Sequence, residues 1–152
     1  MTDEHRPHAD LERALTRLVR RAFLPTAGQR TRAEAGVDLE RATYSTLVRI
    51  AHLDGARLSE VAAGMGLELS TVSRHVKRLV ADGYVEVAAD PDDARARRYS
   101  PTPAGHAALA RVRSARRDRL AELLHDWEDT EVLDLATKLD RVVDALEAEE
   151  GA

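Results

Sequence analysis

The sequence predicts a mainly α-helical fold with a small β component, an α+β class. Apolar residues recur at spacings of three and four along most of the 152 residues, which is the helical period. Aromatic residues make up 3% of the chain and charged residues 33%, so the core must be built from Ala, Leu and Val, which suits helices. Only Tyr84–Ala88 alternates like a half-buried strand, with Arg98–Ser100 as a candidate returning strand.

The first helix is expected to begin at Leu11 and to end before Pro25. Its basic face, formed by Arg13, Arg17, Arg20 and Arg21, could contact DNA, but a solvated surface is the favoured interpretation. Met1–Ala9 ahead of it is polar and is predicted to be a loose end. His5 and His8 in that segment suggest either a metal site or a mobile tail, and the tail is favoured.

The next helix is expected at Leu39–His52, ended by Asp54-Gly55, after a loop with at most a helical turn at Thr26–Val37. Tyr44 lies on a face that adjoins the apolar stripe of this helix. The sequence leaves two roles for Tyr44, the wall of a ligand pocket or a plain core residue.

Two short helical stripes follow, separated by a break at Gly66. The first is Leu58–Met65, and Gly66 ends it because glycine adopts the backbone conformation that a helix end needs. The second has Ser70 at its N-cap or first turn and an apolar stripe of Val72, Val76, Leu79 and Val80. Two short helices joined in this way predict a helix-turn-helix with the second as the recognition helix.

The residues off that stripe are mostly hydroxyls and cations: Thr71, Ser73, Arg74, His75, Lys77 and Arg78. A helix that enters a DNA major groove needs this composition, because hydroxyls and guanidinium groups reach base edges while Lys and Arg neutralise phosphates. The contacts predicted for this helix are Ser70, Thr71, Ser73, Arg74, Lys77 and Arg78.

A polar, turn-rich run, Asp90–Arg98, separates the two candidate strands, so a hairpin directly follows the recognition helix. This run, DPDDARARR, and the Thr102-Pro-Ala-Gly105 after it resemble the wing and following helix of the MarR family of bacterial transcription regulators. The order of elements agrees from Leu11 to Leu146. Ala94 stands where the family commonly has a basic residue. Pro101 stands where leucine is usual and is expected to shorten the returning strand.

The resemblance implies a winged helix-turn-helix that usually represses transcription. It implies that Asp93 and Arg95 shape the wing tip and that Arg95 enters a minor groove, where negative potential is concentrated. Arg97 is expected to contact phosphate. The resemblance also implies a small aromatic or phenolic effector that changes the distance between recognition helices, in a pocket formed by the first, second and fifth helices, near Tyr44.

Long terminal helices predict a homodimer. Thr102 can cap a helix that has Pro103 at its first position and runs toward Trp127. The last helix is expected to start at Asp129 or Thr130, with apolar positions at Val132, Leu135, Ala136, Leu139, Val142, Val143 and Leu146. Such faces are uncommon on a monomer. The predicted division is 1–38 (N-terminal helix and loop, part of the dimerisation region), 39–102 (DNA-binding) and 103–152 (C-terminal dimerisation helices), with an approximate inverted repeat as target.

Charge and composition narrow the remaining classes. The net charge of -4 opposes indiscriminate binding to nucleic acid, so any such binding must depend on local clusters of cations. These clusters are Arg74, Lys77 and Arg78 in the helix, and Arg95, Arg97 and Arg98 in the wing. The absence of cysteine excludes disulfides and thiol chemistry. No membrane-spanning run or signal-peptide core is visible, so a cytoplasmic location is expected.

The sequence leaves three functions to compare, of which the first is favoured: a DNA-binding regulator, a winged-helix module that binds a protein through the same basic surface, and an enzyme. The chain lacks the common catalytic and nucleotide-binding motifs, and Gly64-Met-Gly66 is interpreted as a turn. The histidines at 52, 75, 106 and 125 lack ligand spacing. We therefore expect no enzyme activity, no cofactor and no metal.

Overall fold

The computed structural model describes residues 6–22, 24, 26, 28–53, 55–91, 93 and 95–150. The chain divides into two compact units, Met1–Ala115 and Arg116–Ala152. The helices are α1 (Arg6–Ala22), α2 (Gln29–Glu34), α3 (Arg41–His52), α4 (Leu58–Met65), α5 (Leu69–Ala81), α6 (Pro103–Leu123) and α7 (Asp129–Glu150). The strands are β1 (Ala56–Arg57), β2 (Val85–Ala89) and β3 (Arg97–Pro101), which form one antiparallel sheet in the order β1-β3-β2. The predicted mainly α-helical class is confirmed.

The core of the first unit forms where the apolar stripes of α3, α4 and α5 meet. Leu47, Ile50, Val61, Val72 and Leu79 have no solvent-exposed surface. Ala108 and Val112 of α6 belong to the same buried cluster. For α3, α4 and α5, the spacing that predicted the helix therefore also identified most of the face that it buries.

Several boundaries differ from the predictions. α1 begins at Arg6, so the prediction of a loose end is wrong for residues 6–9, and His8 lies exposed on this helix. The predicted loop at Thr26–Val37 contains the short helix α2. Strand β1 was not predicted, because two residues are too few to show an alternating pattern. Predictions that involve His5, Pro25, Asp54 and Ala94 concern positions outside the described residues.

The returning strand is not shortened by Pro101, which pairs with Val85 at the end of β3. The next residue, Thr102, donates its backbone N–H to the Tyr84 carbonyl at 3.0 Å. Hydrogen-bonded and non-hydrogen-bonded pairs alternate along an antiparallel ladder, so Pro101 occupies a non-hydrogen-bonded position toward β2. Its missing N–H therefore costs the β2–β3 ladder no hydrogen bond.

The start of α6 is confirmed as predicted from Thr102 and Pro103. The Thr102 hydroxyl accepts the Gly105 N–H at 3.1 Å and donates to the Gly83 carbonyl at 2.6 Å. One side chain therefore satisfies a free donor of the first helical turn and a carbonyl that follows α5.

In the second unit the last two turns of α6 lead through a short connection to α7. Trp127, the single tryptophan of the chain, lies in this connection and is 45% exposed. α7 begins at Asp129, as predicted. Apolar side chains along both helices are exposed, among them Leu120, Leu123, Leu133, Leu139, Val143 and Leu146. Every helix in the described part of the chain is too short or too polar to cross a membrane.

Candidate nucleic-acid interface

The turn between α4 and α5 has the geometry of a helix-turn-helix. Gly66 adopts φ 62°, in the left-handed region that favours glycine, and its N–H bonds to the Ala63 carbonyl. The Leu67 N–H bonds to the Ala62 carbonyl at 3.1 Å, which satisfies another carbonyl at the end of α4. Glu68 occupies the N-cap position of α5, without a side-chain capping bond, so Ser70 lies in the first turn.

α5 buries one face and exposes the other. Val72, Val76 and Leu79 are buried as predicted. Val80 was predicted on the same stripe, and this is wrong: Val80 is 37% exposed, because Leu79 takes the inward position at that turn. The exposed or partly exposed polar residues are Ser70, Thr71, Ser73, Arg74, Lys77 and Arg78.

His75 was predicted among the polar residues off the stripe, but it is buried. Its Nδ1 lies 3.0 Å from the hydroxyl oxygen of Thr43 on α3, and this contact fixes α5 against α3. The sequence carries a signal for this position. His75 is three residues after Val72 and four before Leu79, which is the spacing of the buried stripe.

The cations of α5 differ in their partners. Arg78 Nε donates to Asp82 Oδ2 at 2.6 Å, and this hydrogen bond with the carboxylate raises the pKa of Arg78 above its usual value. Within the described chain, Arg74 and Lys77 are exposed and form no ion pair. Their charges are therefore less compensated than that of Arg78.

The hairpin of β2 and β3 is closed by backbone bonds near its tip. The Asp90 N–H donates to the Ala96 carbonyl at 3.1 Å, and the Ala96 N–H donates to the Asp93 carbonyl at 2.9 Å. The Asp93 carboxylate accepts the backbone N–H of Arg95 at 3.0 Å. This local hydrogen bond holds the turn, and it leaves the side chains of Arg95 and Arg97 exposed on the hairpin.

Arg98 was predicted to belong to the basic cluster of the wing, but its guanidinium is hydrogen-bonded to other residues of the protein. Its Nε donates to Asp90 Oδ2 at 2.9 Å and its Nη1 donates to the Gly55 carbonyl at 3.0 Å. Asp90 also accepts a bond from Arg57 Nε at 2.8 Å. That hydrogen bond, with the charge of Asp90, raises the pKa of Arg57. Sequence reasoning missed this cluster, because Asp90-Pro91 looks like an ordinary turn.

Tyr44 is buried in the core, and the Arg32 guanidinium lies over its ring at 5.8 Å from the centroid. Arg32, itself buried, donates from Nε to the Leu39 carbonyl at 3.0 Å. Beside this pair is an open groove of about 1130 Å³, lined by residues of α2, the α2–α3 connection, α3, the end of α4 and the turn after it. The lining includes Arg32 but not Tyr44. The role of Tyr44 as a pocket wall stays a prediction.

Metal-binding side chains are not brought together in the part of the chain that the structure describes. No group of three or more His, Asp and Glu residues there could hold a metal ion. Exposed hydroxyls and cations lie instead on one face of α5, and exposed arginines lie on the hairpin after it.

A helix-turn-helix followed directly by a β-hairpin defines the winged helix-turn-helix class. The chain matches the model of the MarR family over residues 37–96. It is 30% identical over 122 residues to YxaD, an uncharacterised HTH-type transcriptional regulator of Bacillus subtilis. The aligned region covers 80% of this chain and 82% of that protein. The chain therefore belongs to the MarR family of transcription regulators.

Solved structures support the same fold. A MarR family protein from Bacillus stearothermophilus superimposes with a TM-score of 0.79 at 20% identity, over 97% of this chain and 99% of that protein. The apo form of MarR from E. coli gives a TM-score of 0.67 at 24% identity, over 84% and 95% of the two chains. The family is one of DNA-binding regulators rather than enzymes.

Proposed function

We propose that this protein is a transcriptional repressor that binds a pseudo-palindromic operator as a homodimer. The observation that carries the proposal is the two-faced character of α5. Val72, Val76 and Leu79 fix one face in the core, so hydroxyls and cations on the other face point outward. A helix held this way can offer several side chains to a major groove at once.

Each exposed residue is proposed to have a role. Ser70, Thr71, Ser73, Arg74 and Lys77 contact bases or phosphates of the major groove, and Arg78 contributes less because Asp82 already neutralises it. Arg95 enters the flanking minor groove, and Arg97 contacts phosphate. Asp93 does not touch DNA and instead holds the backbone of Arg95.

Dimerisation is proposed to use residues 1–38 and 103–152, with residues 39–102 as the DNA-binding part. Support comes from the exposed apolar side chains of the terminal helices, where Leu133, Leu139 and Leu146 are 67%, 40% and 57% exposed. Burying on the order of a thousand Å² of apolar surface would offset the cost of association, which comprises lost translational and rotational freedom, ordering of side chains and desolvation of polar groups. A two-fold dimer would present two recognition helices to half-sites about one helical turn apart.

An effector is proposed as a small aromatic or phenolic molecule. It can release DNA only if it binds better to one arrangement of the two recognition helices than to the other. By the family resemblance, its pocket would be formed by α1, α3 and α6, near Tyr44. The groove lined by Arg32, Ala33 and Val37 is a second candidate place for such a molecule.

Selection of bound fragments from a random DNA pool tests the proposal. We expect a recovered inverted repeat whose half-sites lie about one helical turn apart. Arg95→Ala should then weaken operator binding and flatten its salt dependence by roughly one unit of slope. Arg113→Ala, at an exposed position of α6, is the matched control.

Binding without any preferred sequence, lost at moderate salt, would instead favour the winged-helix module that binds a protein.

Leu139→Asp tests the dimer by sedimentation equilibrium. We expect a monomer that binds the operator much more weakly, because one recognition helix loses the contacts of the other. A variant that remains dimeric would exclude the face of α7 that carries Leu139.

A further inference from the structure

We propose that Asp90 is a positioning residue for DNA binding, which anchors the wing to the start of the helix-turn-helix and so holds Arg95 in place for the minor groove. This inference rests on the proposed function. It concerns a buried carboxylate that itself touches no DNA.

The sheet brings two like charges together. Arg57 of β1 lies directly opposite Arg98 of β3, and like charges in opposed positions destabilise a strand pair. Arg98 is in turn opposite Ala88 of β2, so Asp90, two residues further along, is diagonal to Arg98 on the same face. One oxygen of Asp90 accepts a hydrogen bond from each guanidinium, at 2.8 Å and 2.9 Å. The carboxylate therefore lets all three strands meet at this point.

The burial of Asp90 makes the contact specific. Its side chain has no accessible surface, whereas those of Arg57 and Arg98 are 38% and 35% exposed. A buried carboxylate is costly unless it is paired and hydrogen-bonded, and removal of the pair leaves an uncompensated charge. Because Asp90 is bonded to Arg57 of β1 and to Arg98 of β3, a displacement of the hairpin would break hydrogen bonds of a buried carboxylate.

A continuous series of hydrogen bonds leads from this anchor to the wing tip. The backbone N–H of Asp90 closes the hairpin onto Ala96, Ala96 bonds to Asp93, and Asp93 holds the backbone of Arg95. β1 pairs with β3 through only two residue pairs, and an isolated two-stranded hairpin is marginally stable. The position of Arg95 thus depends on the side chain of Asp90.

A double-mutant cycle on the full-length protein tests the inference. Operator affinity is measured for the unmodified chain, Asp90→Ala, Arg95→Ala and the double variant. We expect each single change to weaken binding about tenfold and the double variant to be no weaker than Arg95→Ala, because both remove the same contact. A loss of about a hundredfold in the double variant, or unchanged affinity of Asp90→Ala, would overturn the inference.

Asp90→Asn provides a second measurement on DNA-free protein, should Asp90→Ala fold poorly. Asparagine keeps the shape but not the charge, so we expect faster amide hydrogen exchange at Arg95 and Ala96 with unchanged exchange in α5. Equal exchange at the wing would contradict the anchor. If the unmodified protein selects no DNA sequence, the proposed function fails, while this exchange experiment still decides whether Asp90 anchors the wing.

Discussion

Gly105→Ala is expected to destabilise the first unit, although alanine is the better helix former. The first turn of α6 passes close to the start of β2, and a Cβ on Gly105 would lie well inside 3.0 Å of the Tyr84 carbonyl oxygen, a separation that real Cβ atoms essentially never show. It would also lie 3.2 Å from the carbonyl carbon of Tyr84. That carbonyl accepts the Thr102 N–H, so it cannot move away without loss of the bond.

The expected magnitude follows from three opposing effects. Forcing an extra methyl into a packed contact costs roughly 1–3 kcal/mol. Weakening the Thr102–Tyr84 hydrogen bond costs about 1 kcal/mol. The higher helix propensity of alanine returns about 1 kcal/mol. The net loss is about 2 kcal/mol, which corresponds to a fall in Tm of roughly 4–8 °C for a chain of this size.

Thermal and urea denaturation at one fixed protein concentration measure this loss, because the proposed dimerisation would make Tm depend on concentration. Gly64→Ala is the matched control. Gly64 is also helical, but the three atoms nearest to an added Cβ there belong to the Arg49 guanidinium, the far end of a side chain rather than backbone. We expect Gly64→Ala to change stability by less than about 1 kcal/mol. If Gly105→Ala is as stable as the unmodified protein, α6 is not held against β2, and the reasoning fails.

Two further predictions concern α5. Leu79→Ala should lower the free energy of unfolding by roughly 2–5 kcal/mol in urea titrations, because Leu79 is buried. Val80→Ala should lower it by less than about 1 kcal/mol, because Val80 is exposed. Equal losses would contradict the assigned face of α5. Thr43→Val should lower the free energy of unfolding by roughly 1–3 kcal/mol, because it leaves the buried Nδ1 of His75 without its partner. Thr43→Ser keeps the hydroxyl and should retain most of the stability. Similar losses for both variants would show that the hydroxyl does not stabilise the protein.

The helices α3, α4 and α5 were predictable because each of them buries a regular stripe of apolar residues. The spacing located α3, α4 and α5, and Thr102-Pro103 located the start of α6. Val80 was misplaced because it lies only about 100° from Leu79 around the helix. His75 was misplaced because its polar side chain was given more weight than its position at the spacing of the buried stripe. β1 escaped prediction because its two residues gain their structure from β3.

Side-chain partners were the least predictable part of the candidate site. Arg57 and Asp90 are 33 residues apart, and no local pattern relates them. Arg98 belongs to the same basic run as Arg95 and Arg97, but strand pairing brings its guanidinium next to Asp90, to which it is hydrogen-bonded. Charge counts along a sequence therefore overestimate the number of cations that are available to a ligand.

The placement of the aromatic residues gives each compact unit its own optical reporter. Trp127 lies in the second unit, and the tyrosines, Tyr44, Tyr84 and Tyr99, all lie in the first. Selective excitation of indole fluorescence therefore follows the environment of the α6–α7 connection without a tryptophan signal from the DNA-binding elements. Comparison of that signal with tyrosine absorbance during denaturation would reveal whether the two units unfold together or in sequence.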